Sequence, residues 1–401
     1  MPTAHAILTD QDEHDQFSLM LGGPLYQLFC RAHLCGHFLE LLKRRVLVLC
    51  GIAWVPLLLL SALEGTAWGG SVRLPFLMDV EAYARFLIAM PLLIIAELVV
   101  HVRMRPVIQE FLERDLVPES SRQKFEDAIT SALRLRNSVP AELILIAFVY
   151  VLDVLLVWRG QLTLEAGSWH GTVMDGALQA SAAGWWFRCV SLPLLQFLLV
   201  RWYYRLFIWT RFLWQVSKLD LHLIPTHPDR SAGLGFLTAI SYALTPLLLA
   251  QGALVAGVLA DRIFYAGAKL PQFKPEIIAL LAASLVIVIG PLLVFAPRLT
   301  RLKRAALREY GAFAQRYVRE FDDKWIQGGA ARGEVPLGSA DIQSLADLGN
   351  SFEIIKEMRS VPFTPRALVR LLITPLVPIA PLLLTMFPAE ELMQRLLKVV
   401  F

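Results

Sequence analysis

Seven separate stretches of apolar residues constrain this chain more than any other feature of its sequence. Each is roughly 18 to 25 residues long, which is enough for a helix to cross the ~30 Å hydrocarbon core of a bilayer. With 56% apolar and 18% charged residues and a mean hydropathy of +0.55, the chain of 401 residues has too little polar surface for a soluble protein. We predict an all-α, polytopic membrane protein with about seven transmembrane helices. The predicted spans are residues 46–63, 82–102, 140–158, 185–209, 236–260, 277–297 and 366–387.

The lysine and arginine residues are distributed unevenly between the two sides of the predicted membrane. Of the 38, 29 fall on the side of the N-terminus and eight on the other side. Cytoplasmic loops carry the excess of these residues, so we predict a cytoplasmic N-terminus and, after seven spans, a periplasmic C-terminus in a bacterial inner membrane. The predicted segments are a cytoplasmic N-terminal segment 1–45, six spans in 46–297 with a cytoplasmic helical loop 103–138, a cytoplasmic helical segment 298–365, and the last span with a short outside tail in 366–401.

The cytoplasmic segments repeat apolar residues every three or four positions, which is typical of amphipathic helices. One predicted helix starts near residue 299 and continues the sixth span, and a second starts near residue 342. We expect these helices and a third one in 103–138 to pack together as a cytoplasmic layer. Binding to the membrane surface is the alternative.

Ionisable residues inside a span are costly and are usually functional or paired. Asp153 and Arg188 are predicted at similar depth and could form an ion pair; alternatively, Arg188 reaches outward while Asp153 faces water. Glu97 and His101 lie one helical turn apart and could pass a proton or bind a cation. The alternative is a glutamate that is hydrogen-bonded inside the bundle above a surface histidine.

Amides and prolines within the spans suggest a polar path. Gln196 and Gln251 lie in the middle of their spans and either line such a path or bond across helices. Pro375, Pro378 and Pro381 recur every three residues, and each one removes a backbone donor, so they predict a break or sharp kink in the seventh span. The break is either a discontinuous helix at a transport site or a kink that serves packing.

The segment 219–237 contains four side chains that could bind a metal ion. Asp220, His222, His227 and Asp229 lie within ten residues, where the chain re-enters the membrane. We predict a structural turn in which Asp229 caps the following helix, and we assign no metal ion. Binding of a proton or an anion at the helix start is the alternative.

Motifs of soluble active sites are missing from the sequence. It contains no phosphate-binding loop, nucleophile elbow, dinucleotide fingerprint or H-E-x-x-H motif. The net charge of +4 is too small and too scattered for a nucleic-acid binder. We therefore predict no cofactor and no nucleic-acid partner, and we rank an enzyme below a non-enzymatic membrane protein.

Three strings carry a resemblance to a known family. They are IPTHPDRSAGLGFL at 224–237, SADIQSLADLGNSFEIIKEMR at 339–359 and PAEELMQRLLKVVF at 388–401. The chain from about residue 219 onward resembles a family of uncharacterised bacterial inner-membrane proteins. The resemblance implies a bacterial origin and a seven-span fold, and it brings no activity or catalytic residue.

Three classes of function are consistent with the sequence. The first is a channel or transporter for an ion or small solute through kinked helices. The second is a sensory or scaffolding protein that docks a cytoplasmic partner through its amphipathic helices. The third is a membrane enzyme that uses His222 and His227. Besides the lipid bilayer, the expected partners are a second copy of the chain or a cytoplasmic protein.

Overall fold

The computed structural model describes residues 38–69, 72–158, 168–174, 177–331, 334–335 and 338–386. Helices form most of this structure, which confirms the all-α prediction. The exception is a short antiparallel hairpin of strands β1 (Gly171–Met174) and β2 (Ala177–Ala180). Most of the predicted N-terminal segment and nearly all of the predicted outside tail lie outside the described residues.

The helices follow one another with few long connections. The α-helices of the described residues are α1 (Phe38–Leu63), α2 (Val80–Tyr83), α3 (Met90–Glu113), α4 (Glu119–Arg136), α5 (Val139–Trp158), α6 (Ala182–Trp186), α7 (Leu192–Ser217), α8 (Ala239–Ala243), α9 (Thr245–Ala266), α10 (Lys274–Ile289), α11 (Ala296–Phe321), α12 (Ala340–Lys356) and α13 (Pro365–Ile373). Segments of π-helix cover Ala84–Ala89, Phe187–Ser191 and Asp322–Ile326. Segments of 3-10 helix cover Phe76–Met78, Gly235–Thr238, Leu270–Phe273, Gly290–Phe295, Thr374–Leu376 and Ala380–Met386.

Five helical runs of the described residues are long and apolar enough to cross a membrane. They are Leu42–Leu63, Val80–Glu113, Ala182–Ser217, Thr245–Ala266 and Leu270–Ile326. Two further pairs of helices pass the same test together but bend sharply, by 47° between Glu119–Arg136 and Val139–Val154 and by 59° between Pro365–Leu376 and Ala380–Met386. The chain is therefore a multi-pass membrane protein with five spans, or seven when each bent pair counts as one span.

Prolines coincide with the turns that depart from α-helical geometry inside the spans. Pro91 and Pro193 each follow a π-helical segment directly and stand in the first turn of α3 and α7. Pro291 lies within the 3-10 segment of the sixth span. A proline has no backbone donor and its ring clashes with the carbonyl four residues earlier, which favours a turn that opens or tightens before it. Pro56 and Pro106 nevertheless stand inside the α-helical runs of α1 and α3.

Two span boundaries show how the local sequence shapes the fold. The helix of the fifth span begins at Thr245 rather than near residue 236, because the buried residues 236–237 belong to a 3-10 turn that packs into the core. The sixth span continues as one helical run to Ile326, as the amphipathic pattern predicts, with a 3-10 segment at Gly290–Phe295 and a π-helical segment at its end. Its 57 residues exceed by far the roughly 20 that a bilayer crossing needs, so a large part of it projects beyond the membrane.

Helix α7 lies at the centre of the bundle and packs against α3, α4 and α5. The aromatic rings of Phe125 and Phe212 join α4 to α7, with ring centroids 5.9 Å apart. Helix α12 packs on α11 instead. The two helices after the sixth span thus pack together as expected, whereas α4 buries its apolar face against α7.

Large apolar side chains are exposed along the outer helices. On α5 they include Leu143, Ile144, Phe148 and Val151, and on α10 they include Val286. In water such a surface would be unfavourable, whereas lipid chains cover it at no cost. The position of this belt agrees with a membrane protein.

Candidate functional site

The most unusual feature of the bundle is a group of charged side chains buried between its spans. Helix α7 places Arg201 and Arg205 one turn apart on the same face, opposite Glu97 of α3. The Nη1 atoms of Arg201 and Arg205 both donate to Glu97 Oε1, over 3.0 Å and 2.7 Å. All three residues are at least nine-tenths buried.

Two more helices contribute to the same group. Arg45 of α1 lies 3.5 Å from Glu97, measured from Nη1 to Oε2. Glu142, in the first turn of α5, lies 3.6 Å from Arg201, measured from Oε1 to Nη2. We call Arg45, Glu97, Glu142, Arg201 and Arg205 the ionic cluster; it joins four helices of the bundle.

In the ionic cluster, the pairing of opposite charges offsets the cost of burying them. Removing an ion from water costs several kcal/mol, and only close pairing with good hydrogen bonds offsets this cost. Glu97 supplies that pairing to three arginines at once. Charges at such a position inside apolar helices are expensive to keep, so we regard the ionic cluster as the candidate functional site.

The structure separates the two roles considered for Glu97. Its carboxylate contacts arginines of two other helices, so it is bonded inside the bundle. His101, one turn further along α3, is half-buried. The contacts of Glu97 support the alternative of an internally bonded glutamate.

The expected ion pair between Asp153 and Arg188 is not among the ion pairs of the described residues. The Asp153 carboxylate accepts a hydrogen bond of 2.8 Å from Gln196 Nε2 instead. Arg188 lies eight residues before Gln196, within the π-helical segment Phe187–Ser191, which is more than two helical turns away along the same span. The carbonyl of Cys189, next to Arg188, accepts a hydrogen bond of 3.3 Å from Tyr150 Oη, so Arg188 still lies beside the helix that carries Asp153. Gln196 bonds across helices, as one of the two alternatives for it proposed.

The second amide lies beside the break in the seventh span. Gln251 of α9 is buried and donates to Tyr203 Oη of α7 over 3.2 Å. The next residue, Gly252, touches the backbone of Pro375 so closely that no Cβ fits between them. A 59° bend follows Leu376, and backbone hydrogen bonds three residues apart replace α-helical ones around Pro378 and Pro381. The predicted break is confirmed, and it lies against the helix that carries Gln251.

The four candidate ligands in 219–237 do not converge. Asp220 is exposed and pairs with Arg298, and His222 contacts Asp115 of the loop after α3. His227 and Asp229 do meet, with 2.9 Å between Nδ1 and Oδ1. Within the described ranges no group of three or more histidine, cysteine or acidic side chains is arranged to hold a metal ion.

Asp229 organises the turn that follows it. Its carboxylate accepts hydrogen bonds from the backbone N–H groups of Ser231, Gly233 and Gly235, over 2.8, 3.2 and 2.8 Å. Gly233 has a φ of 94°, which favours glycine. Burial raises the pKa of Asp229, but the three N–H groups and the neighbouring His227 outweigh burial and hold the pKa below its usual value. The contacts support the predicted structural turn. The predicted cap is wrong, because the fifth-span helix begins at Thr245 with Leu244 at its cap position, far beyond Asp229.

Arg359 stabilises this turn through two hydrogen bonds to its backbone. The Arg359 guanidinium donates to the carbonyl of Asp229 over 2.9 Å, and the Arg359 N–H donates to the carbonyl of Arg230 over 2.8 Å. Arg230 also pairs with Glu357 over 2.8 Å. The two sequence strings at 224–237 and 339–359 thus meet in space, although about a hundred residues separate them.

Replacing Asp229 by alanine should destabilise this turn. Three backbone donors would lose their acceptor, at a cost of about 1–3 kcal/mol for each one that stays buried and unpaired. We expect a lower midpoint of thermal unfolding in detergent and faster amide exchange in 230–235. Because the folded pKa of Asp229 is depressed, its stabilising effect is complete above the usual value of 3.8 and is lost as the pH falls through the lower folded value. Asp220→Ala is the matched control, since Asp220 is exposed; equal effects of both changes would contradict the prediction.

Most of the ionic cluster is not predicted from the sequence. Arg201 and Arg205 fall near the end of the fourth predicted span, where charged residues are ordinary. The signal was nevertheless present, because two arginines four residues apart in an otherwise apolar and aromatic run share one helix face. Arg45 and Glu142 also stand at the ends of predicted spans, where charges are common and do not by themselves indicate a buried site.

Comparison with protein-family models, with curated proteins and with solved structures finds no match for this chain. The candidate site is therefore described by its own geometry. The ionic cluster, the Asp153–Gln196 pair and the Gln251–Tyr203 pair all involve α7. Helix α7 thus makes polar side-chain contacts with three of its neighbours, α3, α5 and α9.

Proposed function

We propose that this protein is a membrane channel or transporter for an ion or small solute, with a route that follows α7. The ionic cluster is the observation that carries the proposal. Ionisable groups inside membrane helices are costly and most often mark substrate or ion pathways. Replacing a buried ion pair with well-packed apolar residues is often neutral or stabilising, so stability alone gives little reason to keep these charges.

The polar groups along α7 support a route through the bundle. Gln196, Arg201, Tyr203 and Arg205 extend over roughly 14 Å of the helix axis, at 1.5 Å per residue. Each one contacts a polar group of a neighbouring helix. Arg201 and Arg205 share one face of α7, whereas Gln196 and Tyr203 lie on the opposite face, so a solute would meet these side chains on two sides of the helix.

The non-α turns offer positions at which the spans can rearrange. The π-helical segment Phe187–Ser191 precedes α7, and the break near Pro378 lies against α9. Such turns are frequent at functional sites, and broken helices are common at the binding sites of transporters. If the route opens to one side of the membrane at a time, the helices would bend at these two segments.

We place the protein in a bacterial inner membrane with a cytoplasmic N-terminus and a periplasmic C-terminus. The excess of lysine and arginine on the N-terminal side supports this orientation. The resemblance of the strings after residue 219 supports the bacterial membrane. The exposed apolar faces of α5 and α10 leave room for a second copy of the chain as well as for lipid.

Flux into liposomes tests the proposal. Purified protein should carry at least one of K⁺, Na⁺, H⁺, chloride or phosphate about tenfold faster than protein-free liposomes. The double variant Tyr203→Phe with Gln251→Leu removes both partners of one polar pair, which costs little stability, and it should change the rate severalfold. Gln123→Leu, on the exposed face of α4, is the control and should leave the flux unchanged. A correctly inserted wild-type protein that carries none of these ions would contradict the proposal.

A sensory or scaffolding role is the second candidate, favoured by the helices that project from the sixth span. Helices α11 and α12 pack on each other, yet Phe313, Val318 and Ile342 keep exposed apolar side chains. Replacing Phe313 and Ile342 by serine should abolish co-purification of a cytoplasmic partner if this surface docks one. The geometry does not support the third class, an enzyme at 220–229, because Asp220 and His222 contact separate partners.

A further inference from the structure

We infer that Asp153 is a proton-binding site inside the membrane. If the protein transports an ion, as proposed above, the ion that it carries is then the proton; this part of the inference rests on the proposed function. Asp153 belongs to α5 and lies about 21 Å along the helix axis from Val139. It is 8% exposed. A carboxyl group in such a place needs a counter-charge, several hydrogen-bond donors or a proton, because an isolated carboxylate is costly in an apolar environment.

The hydrogen bonds of Asp153 leave one of its oxygen atoms without a partner. Gln196 Nε2 of α7 donates to Asp153 Oδ1 over 2.8 Å. Asp153 Oδ2 and Gln196 Oε1 are both buried, and neither has a hydrogen-bond partner in the part of the chain that the structure describes. Carboxylate and amide oxygens only accept hydrogen bonds, so these two atoms cannot satisfy each other. One proton changes this, because Oδ2 becomes a donor and Gln196 Oε1 is the free acceptor of the same pair.

The charged and titratable groups around Asp153 do not replace this proton. Helix α7 is the main neighbour of α5. Tyr150, one turn before Asp153, donates to the carbonyl of Cys189, which brings Arg188 beside α5. No charged side chain of the described residues pairs with Asp153, and Gln196 is neutral. The arginines of the ionic cluster that belong to α7 lie on the face opposite Gln196.

A metal cation fits this pair of side chains less well than a proton does. Magnesium and calcium ions take six or more oxygen ligands, whereas Asp153 and Gln196 offer two oxygen atoms without a partner. Within the described ranges no group of three or more histidine, cysteine or acidic side chains is arranged to hold a metal ion. A proton needs a single acceptor and no cavity. The proton is therefore the ligand that the pair can take.

The same face of α7 carries a second polar pair. Tyr203 follows Gln196 by seven residues, which is about 10 Å along the helix axis. Tyr203 Oη accepts a hydrogen bond from Gln251 Nε2 over 3.2 Å, and Gln251 Oε1 is a buried acceptor without a partner among the described residues. The unsatisfied atoms of both pairs are thus acceptors, which attract a proton and repel an anion. A proton that leaves Asp153 would find this pair next on the same face.

The reaction at Asp153 is the transfer of one proton, without oxidation or reduction. A hydronium ion from one side of the membrane gives its proton to Asp153 Oδ2, so one O–H bond breaks, another forms and water is left. Release of the proton to water on the other side restores the carboxylate and forms hydronium again. The arginines of the ionic cluster cannot take this role, because a guanidinium group keeps its proton in proteins.

Infrared spectroscopy of the full chain in detergent tests the binding. The C=O stretching band of a protonated carboxyl group is separate from the bands of a carboxylate and shifts in deuterium oxide. Exposed carboxyl groups are ionised at neutral pH, so we expect a band there that belongs to Asp153. Asp153→Asn keeps the shape and neutrality of the protonated side chain, so it should fold with the wild-type midpoint and lose this band. Asp323→Asn, which removes an exposed carboxylate, is the control and should keep the band.

Proton flux links the site to transport. Liposomes that contain the wild type should dissipate an imposed pH gradient about tenfold faster than protein-free liposomes. Asp153→Asn should reduce the rate to that of protein-free liposomes, because an amide does not exchange a proton as a carboxyl group does. Asp323→Asn should carry protons as the wild type does.

The inference is overturned if the wild type shows no protonated carboxyl band at neutral pH, or if Asp153→Asn keeps the whole band. If Asp153→Asn does not fold, Gln196→Leu decides: loss of the amide should shift the band, and an unchanged band would belong to another residue. The outcomes for the two proposals differ. The band without flux of any ion removes the proposed function and leaves the proton site, whereas flux of another ion without the band removes the proton site alone.

Discussion

Replacing Glu97 by glutamine should leave little of the folded protein. The change keeps the shape of the side chain but removes the negative charge that three arginines share. Breaking a buried pair by removing one partner costs about 3–5 kcal/mol, because the remaining charge is left uncompensated. A loss of this size is a large fraction of the stability of most proteins. We expect a sharp fall in the yield of monodisperse protein in detergent and a lower unfolding midpoint.

Two further variants make the Glu97 result interpretable. Glu113→Gln removes an exposed carboxylate from the end of the same helix, and it should leave yield and midpoint unchanged. Adding Arg205→Gln to Glu97→Gln removes one of the stranded charges and should recover part of the loss, since residues in one network are not additive. A Glu97→Gln protein with wild-type yield and midpoint would show that the ionic cluster is solvated rather than buried.

The sequence predicted the architecture well because the bilayer imposes it. A helix must bury about 20 apolar residues to cross, so the spans stand out from composition and length alone. The break at Pro375, Pro378 and Pro381 was equally accessible, because the missing backbone donors are a local property. The start of the fifth span cannot be predicted in this way. Residues 236–237 are apolar because they pack into the core from a 3-10 turn, and they do not belong to the helix that crosses the membrane.

The candidate site was harder to predict because it depends on contacts between distant helices. Glu97 was identified as a costly charge, but its partners lie about a hundred residues away on α7 and some fifty residues away on α1. Arg188 looked like the partner of Asp153 only because each stands a few residues from a tryptophan in its span. Depth estimated from sequence is uncertain by a helical turn or more, and a π-helical segment before α7 changes the rotation and rise that such an estimate assumes.

Replacing Gly252 by valine should separate the seventh span from α9. A Cβ at residue 252 would overlap the backbone oxygen of Pro375, and Pro375 cannot move aside because it lies in the 3-10 turn at the break. Overpacking in a tight contact costs about 1–3 kcal/mol, and more where backbone has to shift. In a helix interior, glycine itself is unfavourable by roughly 0.5–1 kcal/mol, so a residue that fitted the site would stabilise the helix instead. A loss or a gain of stability in Gly252→Val therefore shows whether Gly252 contacts Pro375.

The measurement compares Gly252→Val with Gly51→Val, which lies within the first span with open space around it. Gly51→Val should keep the wild-type unfolding midpoint, whereas Gly252→Val should lower it and expose the chain near Leu376 to limited proteolysis. Because Gln251 is adjacent, its hydrogen bond to Tyr203 should weaken as α9 shifts, and any flux through the bundle should change together with stability. If Gly252→Val is as stable as Gly51→Val and resists proteolysis, the seventh span does not pack on α9 through Pro375, and the break near Pro378 lies away from the Gln251–Tyr203 pair.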